Sequence, residues 1–168
     1  MLASRLSGPN VLAYLGLDIP RLRHIAITVI GLAVWTVFVD ALDFVLDKNT
    51  MSPWMLAIYR SAQADGSLIW LWLAIVVAAP IGEELLFRGF MFRGFVHAPR
   101  DAVPSIVLIS LLWSLAHTQY DWFTIKEIFV LGVLYGLVRW STGSTTLTII
   151  LHTLNNLGAF MIMEFALG

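Results

Sequence analysis

The hydrophobic residues of the chain are concentrated in long runs, and short polar segments separate these runs. A helix of about 20 apolar residues is about 30 Å long, which matches the hydrocarbon thickness of a bilayer. The pattern therefore predicts an all-α, polytopic membrane helical bundle. We expect about five transmembrane helices, at residues 25–39, 68–95, 103–116, 123–138 and 145–165.

The polar segment between the first two runs carries its own helix signal. Residues 49–67 contain Ser52-Pro53, and proline is favoured in the first turn of a helix. Aromatic rings prefer the headgroup level of a membrane. We therefore predict a short interfacial helix, anchored by Trp54, Met55, Ile58 and Tyr59.

Composition supports a membrane protein and narrows the function classes. Hydrophobic residues make up 59% of the chain, charged residues make up 12%, and the mean hydropathy is +0.83. The 168 residues carry a net charge of −1 and include no cysteine, which excludes thiolate metal sites and a cysteine nucleophile. No basic stretch suits nucleic acid. We expect a single transmembrane domain over residues 1–168, with no cleavable signal peptide.

The positions of lysine and arginine predict the orientation. With a cytoplasmic N-terminus, three basic residues lie outside, namely Lys48, Arg60 and Lys126. Six lie inside, namely Arg5, Arg21, Arg23, Arg93, Arg100 and Arg139. This excess favours a multi-pass integral membrane protein with its N-terminus in the cytoplasm.

The second apolar run contains charged residues that need an explanation. A charged side chain at the centre of a membrane helix costs roughly 2.5–3.5 kcal/mol on insertion scales. Glu84 and Arg88 are four residues apart, so they can neutralise each other as a helical ion pair. Glu83 points about 100° away from Glu84 and is left over. Pro80 removes one backbone hydrogen bond just before these residues, and we expect the helix to be bent or loosened there.

Polar residues of three helices fall at one depth. At 1.5 Å per residue, Glu83, His117 and His152 lie about 15, 20 and 12 Å from the inner ends of their helices. All three depths are near the middle of a hydrocarbon layer about 30 Å thick. Asn156 shares a helix face with His152. The coincidence predicts a single site.

These residues suit the activation of a water molecule. A poorly solvated carboxylate is a competent general base, so Glu83 could take a proton from water while a histidine orients it. Asn156 could donate a hydrogen bond to an oxyanion. Glu83, His117 and His152 are also the ligand types of some catalytic zinc sites, although no His-Glu-x-x-His is present. The residues alone leave both uses open.

A non-catalytic membrane protein, either an ion or proton pathway or an immunity-type scaffold, is the alternative interpretation. Intramembrane acids also mark such pathways. The first helix offers only Asp40, Asp43 and Asp47 at its outer end, and we interpret these as a solvated helix end rather than an acidic patch at a site mouth. A single polar cluster favours a chamber over a channel.

Three motifs in order resemble the CAAX protease and bacteriocin-processing (Abi) family of intramembrane endopeptidases. They are Glu83-Glu84-x-x-x-Arg88, Trp113-x-x-x-His117 and His152-x-x-x-Asn156. The family pattern usually has phenylalanine where this chain has Trp113, a conservative aromatic change. The resemblance covers most of the chain, from about residue 68 to residue 165, and implies that the catalytic core lies in this range.

The resemblance implies a peptidase that acts on a membrane peptide or lipidated protein. It implies that Glu83 activates water, that His117 shares this water, and that His152 and Asn156 complete the site and the oxyanion contact. Glu84 and Arg88 match the supporting pair. The family is often labelled metalloprotease, but a metal-free glutamate mechanism is also argued for it. The cofactor thus stays open between a divalent metal such as zinc and none.

Overall fold

The structure is a computed structural model that describes residues 10–48 and 52–167, and the residues in these ranges form helices and connecting loops without any strand. Apart from a 3₁₀ turn at Pro99–Asp101, seven helices follow one another along these ranges. They are α1 (Val11–Leu15), α2 (Leu22–Val45), α3 (Pro53–Asp65), α4 (Leu68–Phe95), α5 (Ala102–Leu115), α6 (Trp122–Thr142) and α7 (Thr145–Leu167). The all-α prediction is confirmed. Residues 1–9 of the N-terminal lead, with the Arg5 used for the orientation, lie outside the described residues.

Three described helices are long and apolar enough to cross a membrane, namely α2, α4 and α7. The other two expected spans are helical, but α5 has only 14 residues, and α6 contains Lys126, Glu127 and Arg139. A helix of 14 residues, such as α5, is about 21 Å long, which is less than the thickness of a hydrocarbon layer. The number of five spans therefore stays a prediction.

The helix α4 is continuous but is wound unevenly around Pro80. A π-helical stretch at Leu73–Ala78 precedes the proline, and a second one at Leu85–Met91 follows Glu84. In a π-helix each N–H bonds to the carbonyl five residues earlier, and such stretches are frequent at functional sites. The predicted loosening of the helix at Pro80 is confirmed. The two π-helical stretches lie before and after the turn that carries Glu83 and Glu84.

The helices α2 and α3 differ from their predicted forms. Helix α2 continues past its predicted end, and Asp43 is buried beside the carboxyl group of Glu127 on α6. The prediction of a solvated helix end holds for Asp40 and Asp47, which are exposed, and is wrong for Asp43. Tyr59 on α3 is fully buried and donates a hydrogen bond to Glu164 of α7, so it is not an interfacial anchor.

The helices α5 and α6 pack closely against each other, next to the polar residues of the candidate site. Asp121 caps α6 by accepting hydrogen bonds from the backbone N–H groups of Thr124 and Phe123, and these bonds lower the pKa of Asp121. Two glycines of α6 allow the close approach to α5. A Cβ atom at Gly132 would lie 2.9 Å from the Trp113 ring, and one at Gly136 would lie 2.6 Å from Ile106.

Substitution of Gly136 by alanine is expected to destabilise the packing of α6 against α5. Its new methyl group would overlap the buried Ile106, and such overpacking typically costs about 1–3 kcal/mol. Thermal unfolding in detergent measures the effect. Gly158→Ala on α7 is the matched control, because a Cβ there meets no atom within 4 Å. An equal change of melting temperature in both variants would contradict the close packing.

Candidate functional site

Glu83 lies on the turn of α4 just after Pro80, and its carboxylate faces α5. Its Oε2 accepts a hydrogen bond from the indole Nε1–H of Trp113 at 2.5 Å. The side chain is 30% exposed. Glu83 is therefore held by one strong donor and still reachable by another molecule.

His117 faces the same carboxylate from the end of α5. Its Nδ1 lies 2.8 Å from the backbone carbonyl of Trp113. A carbonyl oxygen only accepts, so Nδ1 carries the hydrogen and the lone pair of the neutral ring is on Nε2. This Nε2 lies 3.9 Å from Glu83 Oε2, which is too long for a direct hydrogen bond. The pair thus presents two acceptor atoms to one small space.

Glu83 and His117 form the first polar group of the candidate site. Glu84 belongs to a second polar group, with Arg88 and His152, and this group is buried. Oε1 of Glu84 receives both Arg88 Nη1 at 2.8 Å and His152 Nδ1 at 3.1 Å. Arg88 also donates to the backbone carbonyl of Gly132 at 3.2 Å. The expected ion pair of Glu84 and Arg88 is present, and a histidine from α7 extends it. Among the described residues, Glu84 Oε2 has no hydrogen-bond partner.

The side chain of Trp113 lies between the two polar groups. Its ring contacts both imidazoles edge-on, with centroids 5.3 Å from His117 and 5.3 Å from His152. The Arg88 guanidinium lies 4.3 Å from the ring centroid, a cation–π distance. The residue expected to be a conservative aromatic replacement is therefore the central contact of the site.

Asn156 satisfies the backbone that Pro80 disturbs. In the π-helical register, the N–H of Ala79 bonds to the Ala74 carbonyl, so the Ile75 carbonyl would need the N–H that proline lacks. The Asn156 side-chain amide donates to this Ile75 oxygen at 3.0 Å. One of its two amide hydrogens is thus used structurally.

The structure does not gather all predicted site residues around one carboxylate. Glu83 pairs with His117, whereas His152 pairs with Glu84 and Asn156 with the backbone of α4. Depth along a helix was the basis of the prediction, and depth does not fix the direction in which a side chain points. Trp113 bridges the two groups, so they are neighbours within one site.

The three candidate metal ligands do not converge. Nδ1 of His152 is engaged by Glu84, while Glu83 and His117 face each other. In the part of the chain that the structure describes, no cluster of three histidine or carboxylate side chains is arranged to hold a metal ion. The residues as they stand do not fit a three-ligand metal centre.

Tyr120 is a neighbour of the site that the sequence did not indicate. Its backbone N–H donates to the His117 carbonyl at 3.1 Å, and its ring stacks on the His117 ring with centroids 6.2 Å apart. Burial and then the charge of Glu83 raise the pKa of Tyr120. The phenol therefore stays protonated near neutral pH. The sequence feature that could have indicated Tyr120 is its position three residues after His117.

Comparisons with known proteins confirm the family resemblance. Residues 65–158 match a family described as Rce1-like, type II CAAX prenyl endopeptidase Rce1-like. An Escherichia coli protein described as an uncharacterized 24.3 kDa protein is 30% identical over 137 residues. This alignment covers 79% of the chain and 62% of the relative, so the chain spans less than two thirds of that protein. No solved structure matches the chain.

Proposed function

Because the chain belongs to the Rce1-like family, and three of its helices suit a membrane, we propose that this integral membrane protein is an intramembrane endopeptidase. It hydrolyses a peptide bond of a membrane-associated or lipidated peptide. One observation carries the mechanism: the Glu83 carboxylate and the Nε2 atom of His117 face each other across 3.9 Å. That separation suits two acceptors that share one water molecule.

Glu83 is the general base of the proposed reaction. Water attacks the scissile carbonyl carbon, and Glu83 takes the proton that the water loses. His117 contacts the same water through Nε2, the nitrogen that its bond to the Trp113 carbonyl leaves free. Collapse of the tetrahedral intermediate breaks the carbon–nitrogen bond, and Glu83 returns the proton to the leaving amine. The water thus supplies the hydroxyl group of the new carboxyl end and a hydrogen of the new amine, and no other reactant is needed.

His152 and Asn156 are proposed to contact the oxyanion of the intermediate. Asn156 uses one amide hydrogen on Ile75, and its second amide hydrogen is left for a substrate oxygen. His152 uses its Nδ1–H on Glu84, so Nε2 can donate to the oxyanion only when the ring is an imidazolium, which carries a hydrogen on both nitrogens. Glu84 and Arg88 support the site because they fix the imidazole ring.

The test is hydrolysis by the protein reconstituted in lipid vesicles. A peptide with a prenylated C-terminus, its unprenylated twin and a membrane-spanning peptide serve as substrates, and mass spectrometry in ¹⁸O-water identifies the new ends. We expect cleavage that places one ¹⁸O atom in the new carboxyl terminus. Absence of cleavage in all three peptides would contradict the proposal.

His117→Ala is expected to lower kcat by about 100-fold, the lower range for loss of a positioned acid–base group. The imidazole removed in this variant lies 3.9 Å from Glu83. His97→Ala is the matched control, because His97 is an exposed imidazole on the loop after α4. Equal rates for the two variants would remove His117 from the mechanism.

A further inference from the structure

Trp113 contacts the site through three different parts of the residue. The indole Nε1–H donates to Glu83, the backbone carbonyl accepts from His117 Nδ1, and the ring lies against His152 and Arg88. None of the other described site residues contacts both polar groups in this way. A phenylalanine would supply the ring and the carbonyl but would have no N–H.

The Trp113 side chain is itself held firmly. It is 2% exposed and belongs to a core cluster with Leu131, Tyr135, Leu147 and Leu151. Gly132 of α6 leaves just enough room for the indole, since a Cβ there would lie 2.9 Å from a ring carbon. A side chain packed on all sides keeps one rotamer, so its N–H has a fixed direction.

The Glu83 carboxylate lacks such packing. Its side chain is 30% exposed, and a partly exposed glutamate has several accessible rotamers. The hydrogen bond from the Trp113 indole to Oε2 selects the one that faces His117. A hydrogen bond to an ionised acceptor is about twice as strong as a neutral one.

We propose that Trp113 is a positioning residue, whose indole N–H holds the Glu83 carboxylate in the orientation that faces Nε2 of His117. This inference rests on the proposed function, because the orientation matters only if Glu83 acts on a molecule that His117 also contacts. The backbone carbonyl of Trp113 holds the other partner, so one residue sets both sides of the gap.

Trp113→Phe in the reconstituted protein tests the proposal. This substitution removes the N–H and keeps an aromatic ring and the backbone carbonyl. We expect kcat to fall about tenfold, at the low end for one hydrogen bond to a charged group, with KM within about twofold. Trp70→Phe is the matched control, because Trp70 is a tryptophan of α4 that is 70% exposed. An unchanged or higher kcat in Trp113→Phe, with Glu83→Gln inactive, overturns the positioning role and leaves the proposed function intact.

Ultraviolet resonance Raman spectroscopy gives a readout that does not depend on activity. The indole N–H band of Trp113 is obtained as the difference between the wild type and Trp113→Phe. We expect Glu83→Ala to shift this band toward a weaker hydrogen bond. A band that Glu83→Ala does not move overturns the inference even if no peptide is cleaved. A shifted band in a protein without hydrolytic activity supports the contact and contradicts only the proposed function.

Discussion

Replacement of Glu83 by glutamine is expected to lower kcat by about 1,000-fold, within the range for loss of a general base. Glutamine has almost the same shape, and its amide oxygen can still accept the Trp113 indole N–H. It has no basic oxygen that can take a proton from water. The melting temperature should therefore stay close to that of the wild type, and initial rates of peptide cleavage in vesicles measure the loss.

Two further carboxylates make this experiment specific. Glu164→Gln on α7 is the control for a membrane-helix carboxylate outside the site, because Glu164 accepts its bond from Tyr59. Glu84→Gln disturbs the buried contacts to Arg88 and His152, so it should lower both activity and melting temperature. An active Glu83→Gln beside an inactive but stable Glu84→Gln would transfer the role of the base to Glu84.

The bounds of a helix can be predicted from hydrophobicity where polar residues flank the apolar run. Helix α4 has its predicted bounds, Leu68–Phe95, because Ser67 precedes the run and a polar loop follows it. Helix α2 extends beyond its predicted end because Asp40 and Asp43 continue the helix. Asp43 is buried beside Glu127, a residue far along the chain, so no local pattern indicated this contact.

Within the candidate site, one ion pair could be predicted from the sequence, but the other pairings could not. Helical spacing correctly paired Glu84 with Arg88 and separated Glu83 from them. It could not decide which carboxylate receives His152, because that choice depends on how α7 is rotated against α4. The bond from Asn156 to Ile75 joins residues 81 positions apart, and it exists because Pro80 leaves a carbonyl without its N–H.

Removal of the Arg88 side chain is expected to have the largest effect on stability. Arg88→Ala leaves the Glu84 carboxylate, which is 0% exposed, without its cation. It also removes the hydrogen bond to the Gly132 carbonyl and the contact with the Trp113 ring. Loss of one partner of a buried ion pair typically costs about 3–5 kcal/mol. For a chain of this size, that corresponds to a melting temperature about 10 °C lower, measured by thermal unfolding in detergent.

The reason for this loss is the uncompensated charge, and a double variant can separate it from the loss of packing. Glu84→Gln together with Arg88→Met keeps two long side chains and removes both charges, and such replacements are often neutral for stability. We expect the double variant to melt well above Arg88→Ala. Arg93→Ala, an exposed arginine on the same helix, is the matched control and should melt like the wild type. If the double variant is as unstable as Arg88→Ala, then the contacts of the guanidinium with Gly132 and Trp113 hold the helices together, and the charge of Glu84 does not.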